Sequence, residues 1–84
     1  MPGFRVENFD VTIEEGWVFF SSTVTSKANT FLSTADIHRI TLTEASPNVV
    51  TLYYGPNNET YAENITNIKR AQDLVDFLIA HLKA

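Results

Sequence analysis

The rhythm of hydrophobic and polar positions changes once along the chain. From about residue 3 to 65 apolar side chains recur mostly at every second position; from about 67 to 83 they recur at three and four. In the first stretch Phe4 and Val6 alternate, and Phe9, Val11 and Ile13 then alternate on the opposite parity. A slip of one residue predicts a bulge or bend near Glu7-Asn8. Glu15-Gly16 reads as a turn, because glycine takes positive φ at no steric cost. A second strand is expected from Trp17 to about Ser26, with Trp17 and Phe19 on one face and Val18, Phe20 and Val24 on the other. Its first half is apolar on both faces, which predicts cover from both sides or a place at a sheet corner.

Lys27-Ala28-Asn29 reads as a loop. Phe31 and Leu32 then open a third extended segment that Ile37, Ile40 and Leu42 continue. The three-residue step from Ile37 to Ile40 breaks the period of two and predicts a bulge or short helical turn between Asp36 and Arg39. Ser46-Pro47-Asn48 and Gly55-Pro56-Asn57-Asn58 carry turn chemistry. Between them Val50, Leu52 and Tyr54 alternate with Val49, Thr51 and Tyr53, and Thr60 to Ile65 makes a short last strand with Tyr61 and Ile65 on one side. The closing helix, about 67–83, starts at a Thr66 or Asn67 cap. Ile68, Ala71, Leu74, Val75, Leu78, Ile79 and Leu82 form its core stripe, an arc of about 140°. Phe77 falls outside that stripe and His81 lies at its edge, while Lys69 and Asp73 are spaced as an i,i+4 pair.

Composition bounds what such a fold can do. The chain has 84 residues, six bases, ten acids, a net charge of −4 and no cysteine. That length suits one domain, 1–84, which buries about 60–65% of its unfolded surface and so has a thin core. Without cysteine there is no disulfide framework, thiolate nucleophile or sulfur-ligated zinc. An acidic balance argues against nucleic acid, whose backbone affinity comes from Lys and Arg displacing counterions. The first seven residues lack the apolar core of a secretory signal. The longest apolar runs, Trp17 to Phe20 and Phe77 to Ala80, are far short of the roughly 20 residues that cross a bilayer. The expectation is a soluble, cytoplasmic protein.

The order of elements is α+β: a bent antiparallel meander of five to six strands closed by one C-terminal amphipathic helix. From Asp36 to Leu82 it resembles the back half of a pleckstrin-homology-like domain, particularly the small bacterial versions. The features that carry the likeness are the spaced Ile37, Ile40 and Leu42, the Pro47-Asn48 turn, the strand Val49 to Tyr54, the Gly55-Pro56-Asn57-Asn58 turn and the helix. The front half, Pro2 to Phe31, fits more loosely and is about one strand short. The resemblance implies a small half-open barrel with the helix plugging one end, an arrangement that also completes the core of a strongly curved sheet. It further implies a lipid test. Lipid-binding members cluster Lys and Arg around the first hairpin, which on this pattern reads Glu14-Glu15-Gly16 with only Lys27 nearby. Two carboxylates repel phosphate, so neither membrane nor phosphoinositide binding is expected.

Chemistry-bearing constellations are sparse. His38 and His81 have no ligand spacing, so no metal site is expected. Ser21-Ser22 lacks the tight glycine-flanked turn that exposes a nucleophile. The pairs Glu14 with Glu15 and Asp73 with Asp76 read as turn and helix-surface solvation, and the three glycines form no phosphate cradle. No enzyme activity and no cofactor are expected. Aromatic residues are the remaining signal: Trp17, Phe19, Phe20, Phe31, Tyr53 and Tyr54 exceed what a thin core comfortably buries. They point to a non-enzymatic protein-interaction module whose partner is another protein or a second copy, as a homodimer, with Trp17, Phe20, Tyr53 and Phe77 as apolar contacts. An alternative starts from Glu44, Glu59 and Glu63, in a stretch without Lys or Arg from Ile40 to residue 68. A small acidic inhibitor of phage or mobile-element origin could use them to block a basic surface of a host protein. A ligand-binding barrel is a third possibility.

Overall fold

The computed structural model of the protein describes residues 3–7, 9–22 and 30–82. Its architecture is α+β. Among the described residues seven strands precede one helix: β1 (Gly3–Val6), β2 (Phe9–Glu14), β3 (Trp17–Ser22), β4 (Thr30–Ser33), β5 (Ile37–Thr43), β6 (Asn48–Tyr54), β7 (Glu59–Ile65) and α1 (Ile68–Leu82). The strands form two antiparallel sheets, one of four strands in the order β1-β2-β3-β4 and one of three in the order β5-β6-β7. The expected five to six strands are thus seven, and among the described residues no ladder joins one sheet to the other.

The two extra strands come from two breaks that the pattern disguised. Near Glu7 the chain makes a hairpin, not a bulge. Phe4 faces Val11 and Val6 faces Phe9, so residues of opposite parity share one face after the chain reverses. A parity slip is the mark of a two-residue hairpin connection as much as of a bulge. (Asn8 itself lies outside the described residues.) The first hairpin is therefore β1–β2, and Glu14-Glu15-Gly16, expected at the first, belongs to the second. The other break divides the long third segment into β4 and β5, which belong to different sheets. The corner 34–36 between them is fastened to both hairpin turns: Thr34 N donates to Gly16 O at 2.9 Å, and Gly55 N donates to Asp36 O at 3.1 Å.

Other sequence signals are realised as read. Glu15 and Gly16 both take positive φ, 39° and 87°, the handedness that joins two strands through a two-residue turn. The register of β5 on β6 shifts between Ile37 and Arg39, which leaves His38 as the extra residue of a bulge. Asn67 caps α1, its Oδ1 accepting from Arg70 N at 3.1 Å, and Lys69 pairs with Asp73 at 3.0 Å. Residues 23–29, with the far end of the expected second strand, Val24 and the Lys27-Ala28-Asn29 loop, lie outside the described residues.

Alternation sorts the first sheet into two faces. Val6, Phe9, Val11, Ile13, Val18, Phe20 and Leu32 point inward and meet Val50, Leu52 and Ile65 of the second sheet and Ala71, Leu74 and Leu78 of the helix. Phe20 links the sheets, its ring 6.1 Å from Phe9 and 4.6 Å from Tyr61. Burial pushes the Tyr61 hydroxyl above its usual range, and its hydrogen bond to the Glu63 carboxylate adds to the shift. The helix packs on β1, β5, β6 and β7. Its buried face is broader than the expected stripe on one side, because Phe77 turns into contact with Phe4, 5.4 Å between ring centroids, while Ile68 and Ile79 on the other side stay exposed.

The elements converge where β7 ends and α1 begins. The Glu7 carboxylate accepts from Thr66 N at 3.0 Å, Thr66 Oγ1 at 2.7 Å and Asn67 N at 3.0 Å. A carboxylate at a helix N-terminus satisfies amides that have no partner within the helix. Arg70 closes the same junction, its guanidinium 4.5 Å from the centroid of the Phe4 ring and donating to the Arg5 carbonyl. From the other side, the side chain of Asn48, only 5% exposed, donates to Ile65 O at 3.0 Å and Thr66 O at 3.2 Å and accepts from Ala45 N at 3.2 Å.

Two outcomes follow from this junction. The three hydrogen bonds hold the Glu7 carboxyl below its ordinary value of 4.5, so the ion is favoured by the folded state. Its stabilisation is complete above that value and is lost as pH falls through the lowered one. Melting of Glu7→Gln against the parent protein should show a lower Tm at neutral pH and a gap that closes on acidification below about 4.5. A gap independent of pH would assign Glu7 a packing role instead. Asn48→Ala should lose about 1–3 kcal/mol in denaturant unfolding, since it strips a buried side-chain partner from the backbone groups of Ala45, Ile65 and Thr66.

Candidate functional site

The outward face of the first sheet is built by the same alternation that fills the core. Glu14, Trp17 and Ser33 form one cross-strand row, and Thr12, Phe19 and Phe31 form the next. Side chains directly opposite on antiparallel strands lie close enough to interact. Phe19 and Phe31 do so with ring centroids 4.4 Å apart. Trp17 is 51% exposed and Phe31 is 60% exposed, so of the two alternatives for this strand, cover from both sides or a place at a sheet corner, the first is corrected: the outer face is open. Single exposed apolar side chains are ordinary, whereas adjacent exposed aromatics rimmed by charge are the usual form of a docking surface.

The rim is acidic. Glu14, Glu15, Trp17, Phe19 and Phe31 line one open groove of about 740 Å³, a volume in the range of small-molecule and side-chain sites. The turn sets Glu15 beside the aromatics, and the pairing of Glu14 with Trp17 sets a second carboxylate next to the indole. On the same face, in the row beyond Phe19, the Arg5 guanidinium grips the Asp10 carboxylate through two hydrogen bonds of 2.7 and 3.0 Å. That partner holds the Asp10 carboxyl below, and the Arg5 guanidinium above, their usual ranges.

The four residues expected to contact a partner do not form one patch. Trp17 lies in the groove. Phe20, on the same strand, faces the opposite way and is 2% exposed, so it is a core residue and offers no surface to a partner. Tyr53 is half-buried on the other sheet, with the Arg39 guanidinium 5.1 Å from its ring centroid. Phe77 is half-buried between Phe4 and His81. The residues passed over, Phe19 and Phe31, belong to the aromatic surplus seen in the sequence. Their pairing depends on the β3–β4 register across residues 23–29, which no local pattern encodes.

Other expected features are dispersed. Glu44 follows β5 at one end of the second sheet and Glu59 opens β7 at the other, about 20 Å away along the strands at about 3.3 Å per residue. Glu63 accepts the Tyr61 hydroxyl. Glu44 and Glu59 therefore stand at opposite ends of the second sheet. Each histidine ring reaches a backbone carbonyl, His38 Nε2 that of Gly55 at 3.3 Å and His81 Nδ1 that of Phe77 at 2.9 Å. Among the described residues no group of three or more His, Asp or Glu is placed to hold a metal ion, and no helix is long and apolar enough to cross a membrane. A smaller depression of about 360 Å³ lies between β5 and the helix, lined by Ile37, His38, Arg39, Ile40, Ile79 and Leu82. No family model, curated protein or solved structure matches the chain.

The two phenylalanine and tryptophan positions of β3 separate surface from core in a measurable way. Phe20→Ala should cost about 3–5 kcal/mol in denaturant unfolding, the usual loss for a deleted core aromatic. Trp17→Ser should change stability by no more than about 1 kcal/mol, because it removes an exposed side chain with cross-strand contacts only. Equal losses at the two positions would mean that Trp17 is structural.

Proposed function

We propose that this protein is a non-enzymatic protein-interaction module of pleckstrin-homology-like fold, docking its partner on the outer face of β3 and β4. The observation that carries the proposal is the adjacency of Trp17, Phe19 and Phe31 on a sheet face whose inner side already holds a filled core. Apolar aromatic area kept in water is costly unless a partner covers it, and rigid aromatic anchors contribute most to protein interfaces.

Two features support the fold assignment. The front half, a strand short on the sequence pattern, gains that strand at β1–β2, and the helix packs across both sheets beneath the meander. A half-open barrel of two bent sheets closed by α1 fits that arrangement. The absence of phosphoinositide affinity remains part of the proposal on altered grounds. At the true first hairpin the Glu7 carboxylate is exposed and Arg5 is already engaged by Asp10. A cytoplasmic place and a freedom from cofactors belong to the same proposal.

Site-specific photocrosslinking tests it. A photoreactive side chain at position 17 or 31 should capture a partner in cells of the source organism, whereas one at Gln72 or Asp76 on the exposed face of α1 should not. Capture at the helix positions alone would overturn the choice of face.

A further inference from the structure

The groove's walls are aromatic and its rim is anionic, which restricts what can fill it. An aromatic face presents negative charge density above the ring and attracts cations, and an arginine guanidinium both stacks on such faces and matches a carboxylate with two parallel hydrogen bonds. In this groove two carboxylates, Glu14 and Glu15, stand beside Trp17, Phe19 and Phe31. A purely apolar occupant would cover the indole but take water from the carboxylates without replacing its hydrogen bonds. A second copy docked about a two-fold axis on this face would bring the four glutamates of two grooves together, in chains that already carry −4 each. The occupant that satisfies both walls and rim is a cation on a chain long enough to cross the rings.

Resting on the interaction-module reading, we propose that the groove formed by Glu14, Glu15, Trp17, Phe19 and Phe31 receives an arginine side chain from a basic segment of the partner protein. The guanidinium lies over the aromatic floor and the carboxylates neutralise it from the turn. The sheet presents this site at the sole tryptophan of the chain, so occupancy has an intrinsic optical reporter.

The probe is a short blocked oligoarginine peptide, titrated while Trp17 emission is followed at low and at physiological salt. A saturable change in emission is expected with oligoarginine, a weaker one with oligolysine and none with oligoglutamate. Replacing both rim carboxylates, Glu14→Gln with Glu15→Gln, should weaken binding about tenfold or more, whereas Glu44→Gln with Glu59→Gln, the same change in net charge elsewhere, should leave it nearly unchanged. Circular dichroism and Tm of each variant establish that it is folded. Equal weakening by the two pairs would reduce the effect to general attraction between a basic peptide and an acidic protein, and would overturn the proposal. An emission change with an uncharged leucine-serine peptide and none with oligoarginine would also overturn it, while leaving the docking face intact. If emission shifts with protein concentration alone, a second copy is the occupant and the arginine assignment is wrong. No response to any peptide, together with crosslinks only at the helix positions, would remove the docking face itself.

Discussion

The junction of Glu7, Asn48, Thr66 and Asn67 holds this fold together. Two sheets that share no ladder among the described residues, and a helix that belongs to neither, gain a common point of attachment beyond the apolar core. The carboxylate of the first hairpin supplies it from one side by binding the amides at the start of α1, and the buried amide of Asn48 supplies it from the other by binding the carbonyls at the end of β7. Hydrophobic burial alone is non-directional and would allow the helix to rotate over the core. Directional bonds at one end anchor the start of its axis, while the apolar stripe selects Ala71, Leu74 and Leu78 as the inner face.

That fixed helix explains why the aromatic groove exists. The helix packs on β1, β5, β6 and β7, so the core closes on the inner faces, and among the described residues Trp17 and Phe31 on the back of β3 and β4 are left exposed. The two faces of β3 consequently obey different rules. Val18 and Phe20 are selected by packing, whereas Trp17 and Phe19 stand where packing does not require an aromatic. A thin core and an aromatic surplus, which in composition look like one fact, are separated by the pleat into buried side chains on one side and exposed ones on the other.

Local chemistry was legible in the residues and pairing at a distance was not. The Glu15-Gly16 turn, the bulge before Arg39, the Asn67 cap and the Lys69–Asp73 pair each depend on side chains within four positions, and each is present. The parity slip at Glu7 was legible as a disturbance but not as a reversal, because a bulge and a tight hairpin disturb alternation in the same way. Phe77 was misplaced for a related reason: a stripe drawn on an isolated helix does not know that Phe4 will lie along its flank. The groove was the least legible feature. Trp17 is recognisable alone, but the contact of Phe19 with Phe31 and the approach of Glu14 to Trp17 exist only once three strands are in register.

The sheet order also governs how the chain reaches this state. Among the described residues every ladder joins strands that are consecutive in the sequence, β1 to β4 in one meander and β5 to β7 in the other. Such pairings close short loops and cost little chain entropy, so each sheet can form from its own neighbourhood. The distant pairings come with the meeting of the two meanders, when residues 66 and 67 reach Glu7, some 59 and 60 positions away, Tyr61 reaches Phe20 and Phe77 reaches Phe4. The step that places the helix is thus also the step that converts two locally formed hairpin stacks into a cooperative whole.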